Sequence, residues 1–184
     1  KSLDKKQIYS GIGEVIKYGL ISGPKILDNL IKNYNCIIQV KDLDLISNII
    51  YQSCLAKKVF IEKDVLDEDY RNILNFGHTL GHIIESKYQL QGITHGESVI
   101  NGMFLSLKLS HYKKIISDKN YSSIMDIFNK LEIKHNYKLE KSDLEKINFD
   151  KKTTNNSIRF ILLENIGCPM ICDDISIKDI LKII

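Results

Sequence analysis

The residues most able to do chemistry lie in one ten-residue stretch, NFGHTLGHII, at positions 75–84. It holds two of the five histidines, His78 and His82, four residues apart. On an α-helix this spacing puts both imidazoles on one face, where they could share a divalent metal ion or simply accept and donate hydrogen bonds. The stretch therefore predicts either part of a metal site or a polar helix face.

Two other side chains extend this face if the helix begins earlier. At 100° per residue, Arg71 and Asn75 fall with His78 and His82 within an arc of roughly 60°. Arginine and asparagine are suited to bidentate recognition of phosphate or carboxylate groups. The opposite side is apolar, with Ile73, Phe76, Leu80, Ile83 and Ile84. The pattern predicts a substrate-binding face opposite a core face.

Two glycines accompany the histidines at the same spacing. Gly77 and Gly81 would each cost about 1 kcal/mol relative to alanine in a helix interior. We therefore expect another backbone to approach closely on their side of the helix.

Two more motifs carry possible ligands. In GITHGESV, His95 and Glu97 precede a predicted helix, a corner that could aim an imidazole inward or leave it on the surface. In GIGEVIKYGLI, Glu14 and Lys17 are spaced i, i+3, which suits an ordinary ion pair or a metal carboxylate beside a substrate-binding ammonium. Either His95 or Glu14 could complete a metal site with an open position.

The elements that must position these residues are mostly helical. Apolar residues recur at helical spacing up to about residue 147, and Pro24 suits a first helical turn while Asp44 resembles an N-cap. The predicted helices are Lys6–Leu20, Pro24–Tyr34, Asp44–Glu62, Tyr70–Tyr88, Glu97–Lys113, Tyr121–Leu131, Ser142–Lys146 and Ile177–Ile184.

Near the end, two β-prone runs, Ile158–Leu163 and Pro169–Cys172, flank the turn-forming sequence ENIG. We predict a single mainly α, multihelical domain over residues 1–184, with one small C-terminal antiparallel β-hairpin. No alternating βαβ pattern with a GxGxxG turn is present in the sequence, so we expect no self-sufficient dinucleotide-binding fold.

Composition narrows the partners and the compartment. The net charge is +3 and lysines alternate with acids, without the basic stripe typical of nucleic-acid binding. No apolar run reaches the roughly 18 residues that span a bilayer. The four cysteines lack zinc-finger or CxxC spacing, so we expect reduced core residues. We therefore expect a cytoplasmic protein without nucleic-acid or membrane partners.

Five segments, in order, resemble the C-terminal half of 3-dehydroquinate synthases: GEVIKYGLI, CLAKKVF, RNILNFGHTLGHIIE, HGESVINGM and DKKTTNNSIRFILL. The resemblance covers essentially the whole chain. It implies a helical metal- and substrate-binding domain that is normally preceded by an NAD-binding α/β domain, which this chain does not include.

The same resemblance implies roles for individual residues. Glu14, His78 and His95 match the family's zinc ligands, which also accept cobalt, whereas His82 matches a histidine that contacts substrate and assists proton transfer. Asp67 is a weaker candidate for proton transfer, because the family often has glutamate there. The family usually has an Asp-Glu pair after the lysine, whereas this chain has Asp64 and Val65 there. The implied substrate-binding residues are Lys17, Lys57, Arg71, Asn75, His82 and either Lys151 or Lys152.

The implied reaction converts 3-deoxy-D-arabino-heptulosonate 7-phosphate, a small anionic sugar phosphate, into 3-dehydroquinate and phosphate. It proceeds by oxidation with bound NAD, elimination of phosphate, re-reduction, ring opening and aldol closure. We expect a homodimer, and no turnover from this domain alone.

The residues also allow other interpretations of the function. They are a related sugar-phosphate cyclase, a metal-dependent polyol dehydrogenase of similar build, and a non-catalytic helical dimerisation module. Metal content separates the last of these from the enzymes, because a scaffold has no reason to hold zinc stoichiometrically.

Overall fold

The computed structural model describes residues 3–133, 135–144 and 158–184, and within them the chain is mainly α with one small sheet, as predicted. The α-helices are α1 (Lys5–Ser22), α2 (Pro24–Ile38), α3 (Leu43–Lys63), α4 (His78–Tyr88), α5 (His95–Tyr112), α6 (Asp118–Lys130), α7 (Lys141–Leu144) and α8 (Ile177–Leu181). Two 3-10 segments, Tyr70–Asn75 and Gln89–Gln91, flank α4.

A proline or a polar capping side chain marks the start of helices α2, α3 and α5. Pro24 is the first residue of α2, as predicted. The predicted N-cap at Asp44 is wrong, because the extended residue Asp42 caps α3 by accepting a hydrogen bond from the Leu45 amide at 2.9 Å. Thr94 caps α5, and its backbone amide donates to the Glu97 carboxylate in a capping box. The carboxylate of Glu97 is therefore used to cap α5.

The predicted continuous helix Tyr70–Tyr88 is wrong. Gly77 adopts φ +79°, a left-handed conformation that favours glycine and ends regular helix. The chain therefore forms a 3-10 segment at Tyr70–Asn75 and starts α4 afresh at His78. Gly77 is not in a helix interior, and Arg71 does not share an α-helical face with His78.

Glycines bring the backbones of α1, α4 and α5 together. A Cβ on Gly102 of α5 would collide with the Gly77 carbonyl oxygen, and one on Gly81 of α4 would lie 3.1 Å from the Ser98 carbonyl oxygen. A Cβ on Gly13 of α1 would lie 2.7 Å from the carbonyl oxygen of Gly96 in α5. The predicted close backbone approach at Gly81 is confirmed.

Helix α5 lies at the centre and is buried on nearly every side. Its Val99, Met103 and Leu107 belong to an apolar cluster with residues of α1, α2, α3 and α6. Its Leu105 and Leu109 belong to a second cluster with α4, the sheet and α8. A helix that is buried on nearly every side is stable only when other elements surround it, and α5 joins the two clusters.

The predicted hairpin is confirmed as two antiparallel strands, β1 (Ile158–Asn165) and β2 (Cys168–Ile175), each longer than predicted. Its turn lies against the first helix, where the Gly167 amide donates to the Leu20 carbonyl at 2.8 Å. The C-terminal helix α8 is shorter than predicted, and the predicted end of the preceding helix at Lys146 lies outside the described residues.

Two expectations about composition can be checked. All four cysteines are free, but only Cys172 is buried. The prediction that all four lie in the core is wrong, because Cys54 on α3 and Cys168 beside the hairpin turn face solvent. Among the described helices, none combines the length and apolarity needed to cross a bilayer.

Candidate metal and substrate site

Three helices bring a carboxylate and two imidazoles to one point. Glu14 lies in the middle of α1, whereas His78 and His95 are the first residues of α4 and α5. Each offers one ligand atom, and these three atoms lie within 4.8 Å of one another. The predicted set Glu14, His78 and His95 therefore converges in space.

His78 is held in a form that can bind a metal. Its Nδ1 lies 3.2 Å from the Phe76 carbonyl oxygen, and its Nε2 lies 3.7 Å from Oε1 of Glu14. Burial, and then the nearby charge of Lys17, lower the pKa of His78 to about 4. The imidazole is therefore neutral near pH 7, as metal ligation requires.

Glu14 divides its two oxygens between two environments. Oε2 lies 2.7 Å from the ammonium of buried Lys17, whose pKa is lowered by burial even though the Glu14 carboxylate raises it. Oε1 is buried, and among the described residues no atom hydrogen-bonds to it. A buried carboxylate oxygen without a hydrogen bond, beside a neutral imidazole, fits a divalent cation such as zinc.

His95 and His82 are more exposed than His78. The Nδ1 of His95 lies 3.2 Å from Oε2 of Glu85, and the His95 side chain is 46% exposed. The ring centroid of His82 lies 5.5 Å from that of His78 and 6.0 Å from that of His95. His82, Glu85 and His95 form a second group with metal-ligand spacing, so His95 is common to both groups.

A polar cavity of about 270 Å³ opens beside the first group. The residues that line it are Glu14, Lys17, Tyr18, Lys57, Asp67, Arg71, Leu74, Asn75, His78 and His95. The lining includes the predicted substrate-binding residues Lys17, Lys57, Arg71 and Asn75. His82 is exposed and outside the lining, and Lys151 and Lys152 lie outside the described residues.

Among the described residues, three cationic side chains line the cavity. Lys17 is paired with Glu14, and the Arg71 Nε lies 3.9 Å from Oδ2 of Asp67. In the part of the chain that the structure describes, Lys57 has no carboxylate within ion-pair distance. The cavity is thus suited to a small molecule with more than one negative charge.

The carboxylate of one half-buried residue, Asp64, organises the outer wall of the cavity. Asp64 accepts hydrogen bonds from the backbone amides of Glu68, Asp69 and Arg71 at 3.0, 2.9 and 2.9 Å. The amide of Arg71, followed by those of Glu68 and Asp69, lowers the pKa of Asp64. These bonds fold the chain back so that Arg71 reaches the cavity.

Sequence reasoning missed four of these residues. Tyr18 and Leu74 line the cavity, and burial raises the pKa of the Tyr18 phenol to about 12, so it stays protonated. Asp64 was noted only where the chain departs from the family's Asp-Glu pair, and nothing in the sequence indicated its three backbone hydrogen bonds. Glu85 did carry a signal, because it lies seven residues after His78 and therefore on the same face of α4.

The sequence comparisons agree on one family. Residues 11–153 match the family model described as 3-dehydroquinate synthase C-terminal. The chain is 39% identical over its whole length to 3-dehydroquinate synthase of Clostridium tetani, covering 49% of that protein. It is also 39% identical to the Clostridium botulinum enzyme, over 90% of this chain and 47% of that one. The chain thus spans about half the length of these relatives.

Solved structures share the fold at low identity. One is ValA, the 2-epi-5-epi-valiolone synthase of Streptomyces hygroscopicus with NAD⁺ and Zn²⁺ bound, which gives a TM-score of 0.83 at 18% identity over 98% of this chain and 51% of that one. Another is 2-deoxy-scyllo-inosose synthase with carbaglucose-6-phosphate, NAD⁺ and Co²⁺, with a TM-score of 0.80 at 23% identity over 98% and 52%.

Proposed function

Because the chain belongs to the 3-dehydroquinate synthase family, we propose that it is the metal- and substrate-binding half of a 3-dehydroquinate synthase. Such an enzyme converts 3-deoxy-D-arabino-heptulosonate 7-phosphate into 3-dehydroquinate and phosphate, a carbon–oxygen lyase step of the shikimate pathway to aromatic amino acids. By itself this domain is expected to be inactive.

One observation carries the proposal. Ligand atoms of Glu14, His78 and His95, drawn from three helices, lie within 4.8 Å of one another, and Oε1 of Glu14 is buried with no hydrogen bond from the described residues. Bound zinc or cobalt would supply Lewis-acid polarisation of a substrate oxygen, and bound NAD would supply a reversible hydride acceptor.

The remaining residues would bind and orient the substrate. The ammonium groups of Lys17 and Lys57 and the guanidinium of Arg71 would neutralise its carboxylate and phosphate, and Asn75 would hydrogen-bond to its hydroxyl groups. Lys151 or Lys152, both outside the described residues, would add a further cation for the substrate carboxylate. The three described cations surround one cavity, so a sugar acid phosphate could contact all of them together.

Two groups would move protons. His82 lies beside the metal group, with its ring 5.5 Å from the ring of His78, and an imidazole can accept a proton at one nitrogen and donate one from the other. Asp67 lines the cavity, where its carboxylate would exchange a proton with a hydroxyl group of the bound substrate. We assign proton transfer to His82 first and to Asp67 second.

The rest of the active enzyme would come from other parts. We propose that NAD binds mainly to the N-terminal α/β domain, the half of the relatives that this chain does not match, and that this domain closes the cavity. We further propose a homodimer in the cytoplasm. The solved neighbours that hold NAD⁺ are about twice as long as this chain, which supports a second domain.

Metal content tests the proposed site. We expect the purified chain to bind one zinc ion, and Glu14→Gln, His78→Ala and His95→Ala each to lose it, as measured by elemental analysis after dialysis. His111→Ala is the matched control, because His111 pairs with Asp118 on another surface and should leave zinc unchanged. Wild-type protein without zinc, or unaffected ligand variants, would exclude the metal site.

The substrate is tested with this domain joined to an NAD-binding half. We expect phosphate release from the seven-carbon sugar acid phosphate and little from an analogue that lacks the carboxylate. The two solved neighbours carry names of other synthases, so the reverse preference would assign the chain to a related sugar-phosphate cyclase instead.

A further inference from the structure

The second contact of His95 distinguishes it from an ordinary surface histidine. Its Nδ1 lies 3.2 Å from Oε2 of Glu85, one helical turn beyond His82 on α4. The Glu85 side chain is 34% exposed and the His95 side chain 46% exposed, so packing alone does not fix the imidazole. The ring also contacts the ring of His78, with centroids 5.4 Å apart, but the Glu85 carboxylate is the hydrogen-bond partner that the described residues offer to Nδ1.

His78 shows the same arrangement with a different partner. Its Nδ1 lies 3.2 Å from the Phe76 carbonyl oxygen, and its Nε2 points to Glu14 at 3.7 Å. Both imidazoles therefore use Nδ1 toward a protein oxygen, which leaves Nε2 of each for a third partner. Metal-bound histidines almost always donate their other ring N–H in this way, to a carboxylate or a backbone carbonyl.

We propose that Glu85 is a positioning residue, which holds His95 in the Nδ1-protonated tautomer with Nε2 available to a metal at Glu14 and His78. This inference rests on the proposed function. His78 does not need such a carboxylate, because its side chain is only 14% exposed and a backbone carbonyl already fixes its ring. His95, at the exposed start of α5, depends on Glu85 for the same purpose.

The competing role for Glu85 is that of a metal ligand. Together with His82 and His95 it forms the second group with metal-ligand spacing. The Nδ1 of His95 cannot both donate a proton to Glu85 and ligate a cation, so a metal in that group would break the contact. We favour the positioning role because the Glu14 oxygen, buried without a hydrogen bond, lies in the first group.

Zinc affinity measures the effect of Glu85. We expect Glu85→Ala to weaken zinc binding by about 10- to 100-fold in a competition titration against a chromophoric chelator, and Glu85→Gln, which keeps an acceptor oxygen without the charge, to weaken it less. Glu62→Gln is the matched control, since Glu62 is an exposed carboxylate paired with Lys58 on α3. It should bind zinc like the wild type.

The tautomer of His95 gives a readout that a purely structural role would not change. In the metal-free wild type at pH 8, ¹⁵N chemical shifts should show His95 protonated at Nδ1, and Glu85→Ala should shift it toward the Nε2-protonated form. His78 is the internal control, since its Nδ1 faces a backbone carbonyl and should not respond. If Glu85→Ala does not fold, Glu85→Gln carries the same comparison.

The outcomes separate the two ideas. Wild type that binds no zinc overturns both the metal site and the positioning role. Wild type that binds zinc, with the Glu85 variants unchanged in affinity and tautomer, overturns the positioning role alone. Loss of zinc in His82→Ala with retention in Glu14→Gln would place the metal in the second group and also overturn it.

Discussion

The inner and outer walls of the cavity are built in different ways. On the inner wall, helices α1, α4 and α5 present Glu14, His78 and His95, and their backbones meet at glycines that leave no room for a side chain. On the outer wall, residues 64–75 present Arg71 and Asn75 from a 3-10 segment that depends on the carboxylate of Asp64.

This difference separates rigidity from adaptability. Close backbone packing fixes the metal-ligand geometry before any ligand arrives, which is what a preorganised metal site needs. Exposed segments with few buried contacts open at low free-energy cost, and binding elements are commonly drawn from them. We therefore expect the inner wall to determine stability and metal affinity, and the outer wall to determine how the anionic substrate is held.

The largest expected effect is on the inner wall, in Gly102→Ala. The added methyl group would meet the Gly77 carbonyl oxygen and the Gly81 amide nitrogen, and neither backbone atom can rotate away. Such overpacking costs typically 1–3 kcal/mol, and here we expect about 3 kcal/mol or more. In thermal denaturation this corresponds to a midpoint lower by roughly 6–12 °C.

Gly11→Ala is the matched control for that substitution. Gly11 lies in α1, and a Cβ there would have nothing within 4 Å. Alanine should stabilise the helix by up to about 1 kcal/mol. Equal melting temperatures for the Gly102 and Gly11 variants would contradict the view that backbone contact fixes the inner wall.

The sequence predicts the structure of the inner wall better than that of the outer wall. Apolar spacing places α1 and α5 of the inner wall to within two residues at each end, because periodicity follows directly from burial. It does not bring Glu14 to His78, which are 64 positions apart. The residues alone left Glu14 and His95 as alternatives, and only the family resemblance implied both as ligands. On the outer wall, periodicity extended one helix through Gly77 and missed the φ of +79° that ends it.

The second prediction concerns acid and the inner wall. The pKa of His78 is about 4 in the fold and near 6.5 when unfolded, so between these values the unfolded chain binds a proton that the folded chain does not. Stability of the metal-free chain is therefore complete above pH 6.5 and decreases as the pH falls toward 4. The contribution is on the order of 2–3 kcal/mol.

Urea denaturation at pH 7 and pH 4.5 measures this decrease. Carboxylates also titrate in this range, so the change in unfolding free energy between the two pH values is compared between wild type and His78→Gln. The change should be smaller in His78→Gln. His111→Gln is the matched control and should keep the wild-type dependence, since His111 lies on an exposed surface beside Asp118. A His78→Gln variant with the full wild-type dependence would show that burial does not hold His78 neutral.

The smallest and most local effect is expected on the outer wall, in Asp64→Ala. This carboxylate accepts three backbone amides, and its pKa is lowered chiefly by the Arg71 amide, so it stays ionised at neutral pH. Without it, the amides of Glu68, Asp69 and Arg71 should exchange with deuterium faster, whereas those of α5 should not. Global melting and zinc affinity should hardly change, because the glycine contacts remain.

Binding of the anionic substrate should weaken in the same variant, since Arg71 would no longer be held at the cavity. The exposed residue Asp126 on α6 provides the control, and Asp126→Ala should alter neither the exchange of the outer-wall amides nor substrate binding.

Acid should reproduce the effect of Asp64→Ala in the wild type. A group with a lowered pKa contributes fully above its ordinary value of 3.8, and its contribution is lost as the pH falls through the lower value of the folded state. The outer wall should therefore keep its protection through the range in which His78 already weakens the inner wall, and simultaneous loss at both walls would mean that the two are one cooperative unit.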